Sequence, residues 1–267
     1  MTGTYFSFFR MRFLALLQYR AAALAGATTN WAFGMMRAMV MVAFYESADR
    51  VQPMSLAQAV TYIWLGQMMI GILPWNLDKD VSNSVISGQV AYELTRPIDL
   101  YTMWFVRTLA YRIVPTLMRG VPMFIVCALF LPDRLGITLP SFVALAAWAV
   151  SMIGAIVLSV SITSLMHAYV LIIQRVDGLT RLVNALAELL SGMIIPLGLM
   201  PEKMQGFLRY QPFAGVIDLP AQLFCGSMPA GDVWQVVLMQ AVWAVVFIAA
   251  GRAVTKYGLK QVVLAGG

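Results

Sequence analysis

Residues 189–213 read LLSGMIIPLGLMPEKMQGFLRYQPF, and this stretch decides the fold. It starts as the apolar end of a membrane span. Ser191-Gly192, Pro196, Pro201 and Pro212 then break it, and Glu202, Lys203 and Arg209 stand between short apolar runs. Crossing about 30 Å of hydrocarbon takes roughly 20 apolar residues as a helix, and neither piece around Pro201 is long enough. Broken backbone beside a bilayer is tolerated only where it is buried in protein or lines a wet cavity. The stretch therefore predicts half-helices that dip back towards the membrane, a pattern that points to transport rather than simple anchoring.

The rest of the chain agrees with a membrane setting. Of its 267 residues 61% are hydrophobic and 11% are charged, against about a quarter charged in a soluble domain. No repeat, low-complexity run or hydrophilic block marks a soluble domain, so residues 1–267 read as a single membrane domain. The fold class predicted is all-α, with six transmembrane helices, an N-terminal interfacial helix and an outer re-entrant hairpin before the last span.

In chain order, residues 5–20 place Phe6, Phe9, Phe13 and Leu16 near one stripe, with Arg10, Arg12 and Arg20 free to snorkel; residues 1–20 are read as the interfacial helix. The apolar run 13–17 is shorter than a secretory core, so a cleavable signal is not expected. Spans follow at about 21–45, 56–75, 113–131, 139–167, 182–199 and 233–251. The part of residues 100–131 that carries Arg107 and Arg112 is assigned to the inner interface. Residues 76–99 form the longest polar connection, with a short helix expected over 80–87 and stopped by Gly88. Residues 200–229 are the outer broken segment. Of the 18 basic residues, 13 fall at the N-terminus, in 79–119, at Arg175 and Arg181, and in the tail. The positive-inside rule then puts both termini in the cytoplasm.

Several chemistries leave no trace. There is no GxxxxGK[ST] phosphate loop and no GxSxG elbow, and the single histidine, His167, has no cysteine or acidic cluster beside it in sequence. No catalytic residue and no metal site are assigned, and nothing reads nucleic acid. Cys127 and Cys225 are read as free thiols. His167 is read as a satisfied interface residue. Ser151, Ser159, Ser161, Thr163, Ser164 and Gly154 suit close helix packing or the polar lining of a pathway.

Glu188 stands out as a carboxylate inside an apolar span. It is either a substrate or proton site, or a structural hydrogen-bond or ion-pair partner. Arg37 is the only candidate partner clearly inside another span.

The order of these parts resembles the type-2 exporter permeases of the ATP-binding-cassette family. Local strings carry the resemblance: Ile86-Ser87-Gly88-Gln89 with Leu94-Thr95-Arg96-Pro97, Leu190-Ser191-Gly192-Met193-Ile194-Ile195-Pro196-Leu197, Gln211-Pro212-Phe213-Ala214 and the closing Gly266-Gly267. The family more often has Leu where this chain has Gln211. The resemblance implies a half-transporter of the bacterial inner membrane. A second permease chain, identical or different, would complete the pathway through the first, second and fifth spans. Cytoplasmic nucleotide-binding ATPase subunits would supply ATP and Mg, which this chain does not hold. It further implies coupling to those subunits through Asp80, Val81, Val85, Ile86 and Gly88. Arg37, Glu188, Ser191, Pro196 and Phe213 would serve the pathway or its outer gate. The rival from another class is a proton-coupled secondary transporter using Glu188; against it, no inverted repeat is visible.

Overall fold

The structure is a computed structural model that describes residues 2–47, 52–173 and 177–261. All regular structure among these residues is helical. Arg50, Arg175 and Gly266-Gly267 lie outside the described residues.

Helix α1 (Thr2–Leu17) leads into the long α2 (Arg20–Ser47). Helix α3 (Leu56–Met68) continues as a 3-10 turn, Met69–Ile72. Its start is fixed by a reciprocal cap: the Ser55 hydroxyl accepts from the Gln58 N–H, and the Gln58 side chain accepts from the Ser55 N–H. The polar connection holds two short helices, α4 (Lys79–Ile86) and α5 (Val90–Leu94). Asp78 caps α4, and Gly88, at φ +75°, follows its end, close to the stop expected from sequence.

Helix α6 (Leu100–Leu129) joins what the sequence divided. The expected interfacial part and the expected span at 113–131 form one helix of 30 residues. Pro115 and Pro122 lie inside it without ending it. At 1.5 Å per residue it is about 45 Å long, so it reaches well past the hydrocarbon. Helix α7 (Phe142–Ile173) is the central element. Its buried face carries Ser151, Ser159, Ser161, Thr163, Ser164 and His167. Helix α11 (Val233–Gln261) packs along it, and close approach needs small residues: a Cβ on Gly154 would lie 2.1 Å from Gln240 Oε1. The Gln240 amide donates to the carbonyls of Ser151 and Gly215. The small residues of α7 thus sit in helix packing.

Among the described residues, three segments are long and apolar enough to cross a membrane: Leu100–Leu129, Phe142–Ile173 and Ala230–Lys260. Leu56–Ile72 is shorter and also apolar. A continuous helix over 182–199 does not form. Helix α8 (Asp177–Leu190) stops after 14 residues, because Gly192 turns to φ +78° and Pro196 follows. A 3-10 turn (Leu197–Leu199), α9 (Glu202–Tyr210) and α10 (Asp218–Cys225) complete the broken stretch. With nine and eight residues, α9 and α10 are too short to span a bilayer.

Candidate functional site

Two polar junctions stand out in an otherwise apolar molecule. The first lies where α1, α4, α6 and α7 meet. Asp78 is only 3% exposed, and Arg107 Nε lies 2.6 Å from its Oδ2. Arg12, from α1, reaches the same oxygen at 3.0 Å. Both guanidinium groups also reach Asp80, at 2.6 and 3.2 Å. Burial pulls the Asp78 carboxyl upwards, but the two guanidinium groups and the Asp80 N–H outweigh it and hold the group below the usual carboxylate range. The Asp78 N–H donates to Nε2 of the buried His167. Nearby, the Tyr5 hydroxyl accepts from the Asp99 N–H, and the Trp104 ring N–H donates to Glu93. Helix α1 is therefore fixed to the connection by charge as well as by Phe8, whose ring lies under Arg96. Phe6, expected on the apolar stripe of an interfacial helix, is 66% exposed, while Tyr5, Phe8 and Arg12 are half-buried against the protein.

Of the residues assigned to coupling, Val81 and Val85 are buried in the core, whereas Asp80, Ile86 and Gly88 are exposed. Helix α4 is amphipathic, and only the second group faces away from the protein.

The second junction holds the broken stretch. Asp218, buried at the start of α10, accepts from the Tyr62 hydroxyl at 2.6 Å, the Leu197 N–H at 3.1 Å and the Gln222 amide at 2.7 Å. The Tyr62 hydroxyl also lies 3.1 Å from the Gly192 carbonyl. It carries one proton for two acceptors, so the two bonds alternate. Ser191 and Pro196 are buried beside Gly192, and the Ser191 hydroxyl accepts from the Met193 N–H. Arg37 reaches in from α2 and donates to the Met193 carbonyl at 2.9 Å. Gln211 donates to the Leu190 carbonyl at the end of α8 and accepts from the Phe213 N–H. The glutamine that departs from the usual family residue thus satisfies one of the orphan carbonyls of α8.

Arg37, Ser191, Pro196 and Phe213 accordingly belong to, or adjoin, this junction. Glu188 does not. Its residue is exposed on α8 and makes no ion pair among the described residues, with Arg37 or otherwise. Asp218 and Asp78 were not singled out from sequence. The available signal was a lone carboxylate within the apolar run 213–225, and an Asp two residues ahead of another at a helix start.

Burial pushes the Asp218 carboxyl up to about 6, against the opposing bonds from Tyr62, Leu197 and Gln222. A raised folded-state value adds stability below the unfolded value of about 3.9, and that stability is lost as pH rises through the folded one. When protonated, Asp218 can donate to Tyr62, whose own proton then turns to Gly192. The thermal midpoint is expected to be about 5 °C higher at pH 5 than at pH 7.5. Asp218→Asn should abolish that difference. An equal pH dependence in the variant would assign it to other groups.

A family model described as ABC-2 family transporter protein matches residues 32–266. The chain belongs to the ABC-2 transporter family. No curated protein and no solved structure matches it. Both junctions fall wholly or largely within the ABC-2 match; only Arg12 and the rest of α1 precede it. Membership makes the chain a multi-pass membrane protein with a permease role, and ABC-2 permeases generally pair with ATPase subunits. Among the described residues no cluster of His, Cys, Asp and Glu would hold a metal ion.

Proposed function

We propose that this ABC-2 permease is the membrane subunit of an ATP-driven exporter in a bacterial inner membrane. Two permease chains form the pathway, and separate cytoplasmic subunits hold ATP and Mg. In this reading α2, α3, α6, α7, α8 with the chain beyond it, and α11 make six crossings. Both termini are cytoplasmic, and residues 200–229 form the outer re-entrant segment.

The observation that carries the reading is the Asp78 junction. It ties α1, α4 and α6 into one unit through the buried Asp78 and the exposed Asp80, so a force on α4 passes to both helices. The outward face of that unit is left uncovered. Lys79, Asp80, Asn83, Ile86 and Tyr92 are all exposed, Tyr92 by 76%. That is a mixed polar and apolar surface suited to a protein partner.

Glu188 supports the second permease chain. It stands about 17 Å along α8, on a helix whose Leu182 and Leu189 are 58% and 65% exposed. A carboxylate facing lipid is costly, so protein or water must cover this face. Helix α2 offers Phe33, Met36 and Val40, each more than half exposed, at helical spacing. We assign these two faces to the interface between chains, with Glu188 beside the pathway and Arg37 at its outer gate.

The test is mild-detergent purification of the tagged chain expressed with its neighbouring genes. Recovery of an ATPase subunit with vanadate-sensitive hydrolysis is expected, and the permeases recovered decide between a homodimer and a heterodimer. Ile86→Asp combined with Tyr92→Asp should cut ATPase recovery at least tenfold while the permease stays folded, since neither side chain is in the core. Recovery of the chain alone would overturn the reading and make proton coupling through Glu188 the next measurement.

A further inference from the structure

Among the described residues, two arginines of α6 have charge that no carboxylate answers. Arg112 is 2% exposed. Its guanidinium donates to two neutral acceptors, the Asn76 carbonyl at 2.8 Å and the Thr163 hydroxyl at 2.9 Å. Its Nε is buried without a partner. Arg119 lies against α2, where a Cβ on Gly26 would be 2.7 Å from its guanidinium carbon. Its Nε is also buried without a partner. Among the described residues neither arginine makes an ion pair, and Asp78 and Asp80 are already taken by Arg12 and Arg107.

The two positions are seven residues apart, so they share one face about 10 Å apart along the axis. Both line a cavity of about 280 Å³ between α2, the 3-10 end of α3 and α6. Asn30, Trp75, Asn76 and Tyr111 complete its polar and aromatic wall. A second cavity of about 280 Å³ lies between the same helices α2 and α6, starting one turn beyond Arg119. Its lining is almost wholly apolar and includes Leu24, Trp31, Pro122 and Val126. A cationic chamber therefore adjoins an oily cleft.

Uncompensated guanidinium groups at membrane depth are costly and mark functional positions. Their planar forks match phosphate and carboxylate oxygens two at a time. Tryptophan and tyrosine favour the level where head groups meet chains. We infer that this site binds an amphiphile with a compact anionic head, phosphate or carboxylate, held by Arg112 and Arg119 with its chain in the adjoining cleft. As the cargo of the exporter such an amphiphile rests on the transport function proposed above. As a bound ligand it rests on these residues alone.

The test uses the purified full chain in a neutral maltoside, read by native mass spectrometry and thermal midpoint. Dioleoylphosphatidic acid is the probe, with dioleoylphosphatidylcholine and inorganic phosphate as the comparison arms. One phosphatidic acid per chain is expected, with a raised midpoint, at concentrations where the other two give neither. Arg119→Gln should weaken binding at least tenfold, and Arg119→Lys, which keeps the charge but loses the fork, should fall between. Arg119 is the informative position, because Arg112→Gln removes two buried hydrogen bonds and endangers the fold itself. Equal binding of phosphatidic acid by Arg119→Gln and the unaltered chain would overturn the site. Equal stabilisation by inorganic phosphate would overturn the amphiphile assignment. The measurement needs no ATPase, so its failure leaves the exporter reading standing, and failure to recover an ATPase leaves this binding result standing.

Discussion

Gly192→Ala should lower the thermal midpoint of the purified permease by about 10 °C. Two costs combine. At φ +78° an alanine carries backbone strain of about 1–2 kcal/mol. Its Cβ would also sit 2.2 Å from the Tyr62 hydroxyl and 2.9 Å from Asp218 Oδ1. One of these groups must move, and with it goes a hydrogen bond to a charged acceptor, about 1.5–3 kcal/mol. A total of about 3–4 kcal/mol corresponds to roughly 10 °C in a chain of this size. Gly226 supplies the control. It has φ +72°, but an added Cβ would meet nothing within 4 Å. Gly226→Ala should therefore cost only the backbone strain, about 3 °C. Equal losses at the two glycines would show that the Tyr62–Asp218 contact does not hold the break in place.

Asp78→Ala should release α1 from the connection and destabilise the chain by about 3–4 kcal/mol. The substitution leaves Arg107 and Arg12, each about a quarter exposed, with only the exposed Asp80 as a carboxylate partner, and it removes the cap of α4. Breaking a buried pair from one side costs about 3–5 kcal/mol, and partial exposure of the arginines puts this case at the low end. Loss of the cap adds about 1 kcal/mol. Asp78→Asn keeps an acceptor for the Asp80 N–H and should lose less. Hydrogen exchange is the direct measurement: the amides of α1 should exchange at least tenfold faster in Asp78→Ala. Unchanged protection there would mean that apolar packing, not charge, holds α1.

The same carboxyl gives a pH dependence of opposite sign to that of Asp218. Arg107 and Arg12 hold Asp78 below its ordinary range despite its burial. Its stabilisation is therefore present above the unfolded value of about 3.9 and is lost as pH falls through the lower folded value. The α1 junction is intact across the physiological range and opens only in strong acid. The Asp218 junction, by contrast, tightens on mild acidification. A permease with these two junctions has a broken segment that responds to pH near 6 and an α1 junction that does not.

Residues 189–213 show how far local rules reach. A glycine free to take positive φ and prolines that cannot continue a helix end α8 and separate α9 from α10 wherever the rest of the molecule lies. The same holds for α4, which starts at a capping Asp and ends beside Gly88. Apolar composition likewise determined that α6, α7 and α11 are long membrane helices. What local rules leave open is tertiary. Arg107 and Arg112 lie in the first part of α6, and only the fold shows that Asp78, Asn76 and Thr163 receive their side chains.

Partner choice was decided by the tertiary structure alone. Arg37 meets the Met193 carbonyl and Tyr62 meets Asp218, in each case across 156 residues of chain. Glu188, the carboxylate most conspicuous in sequence, faces outward, while Asp218, unremarked in an apolar run, is the buried hub. Helix starts, breaks and lengths come from the backbone freedom and polarity of neighbours, which the sequence displays directly. Pairing depends on distance in space, and a charged side chain carries no local mark of which distant helix will bring its partner within 3 Å.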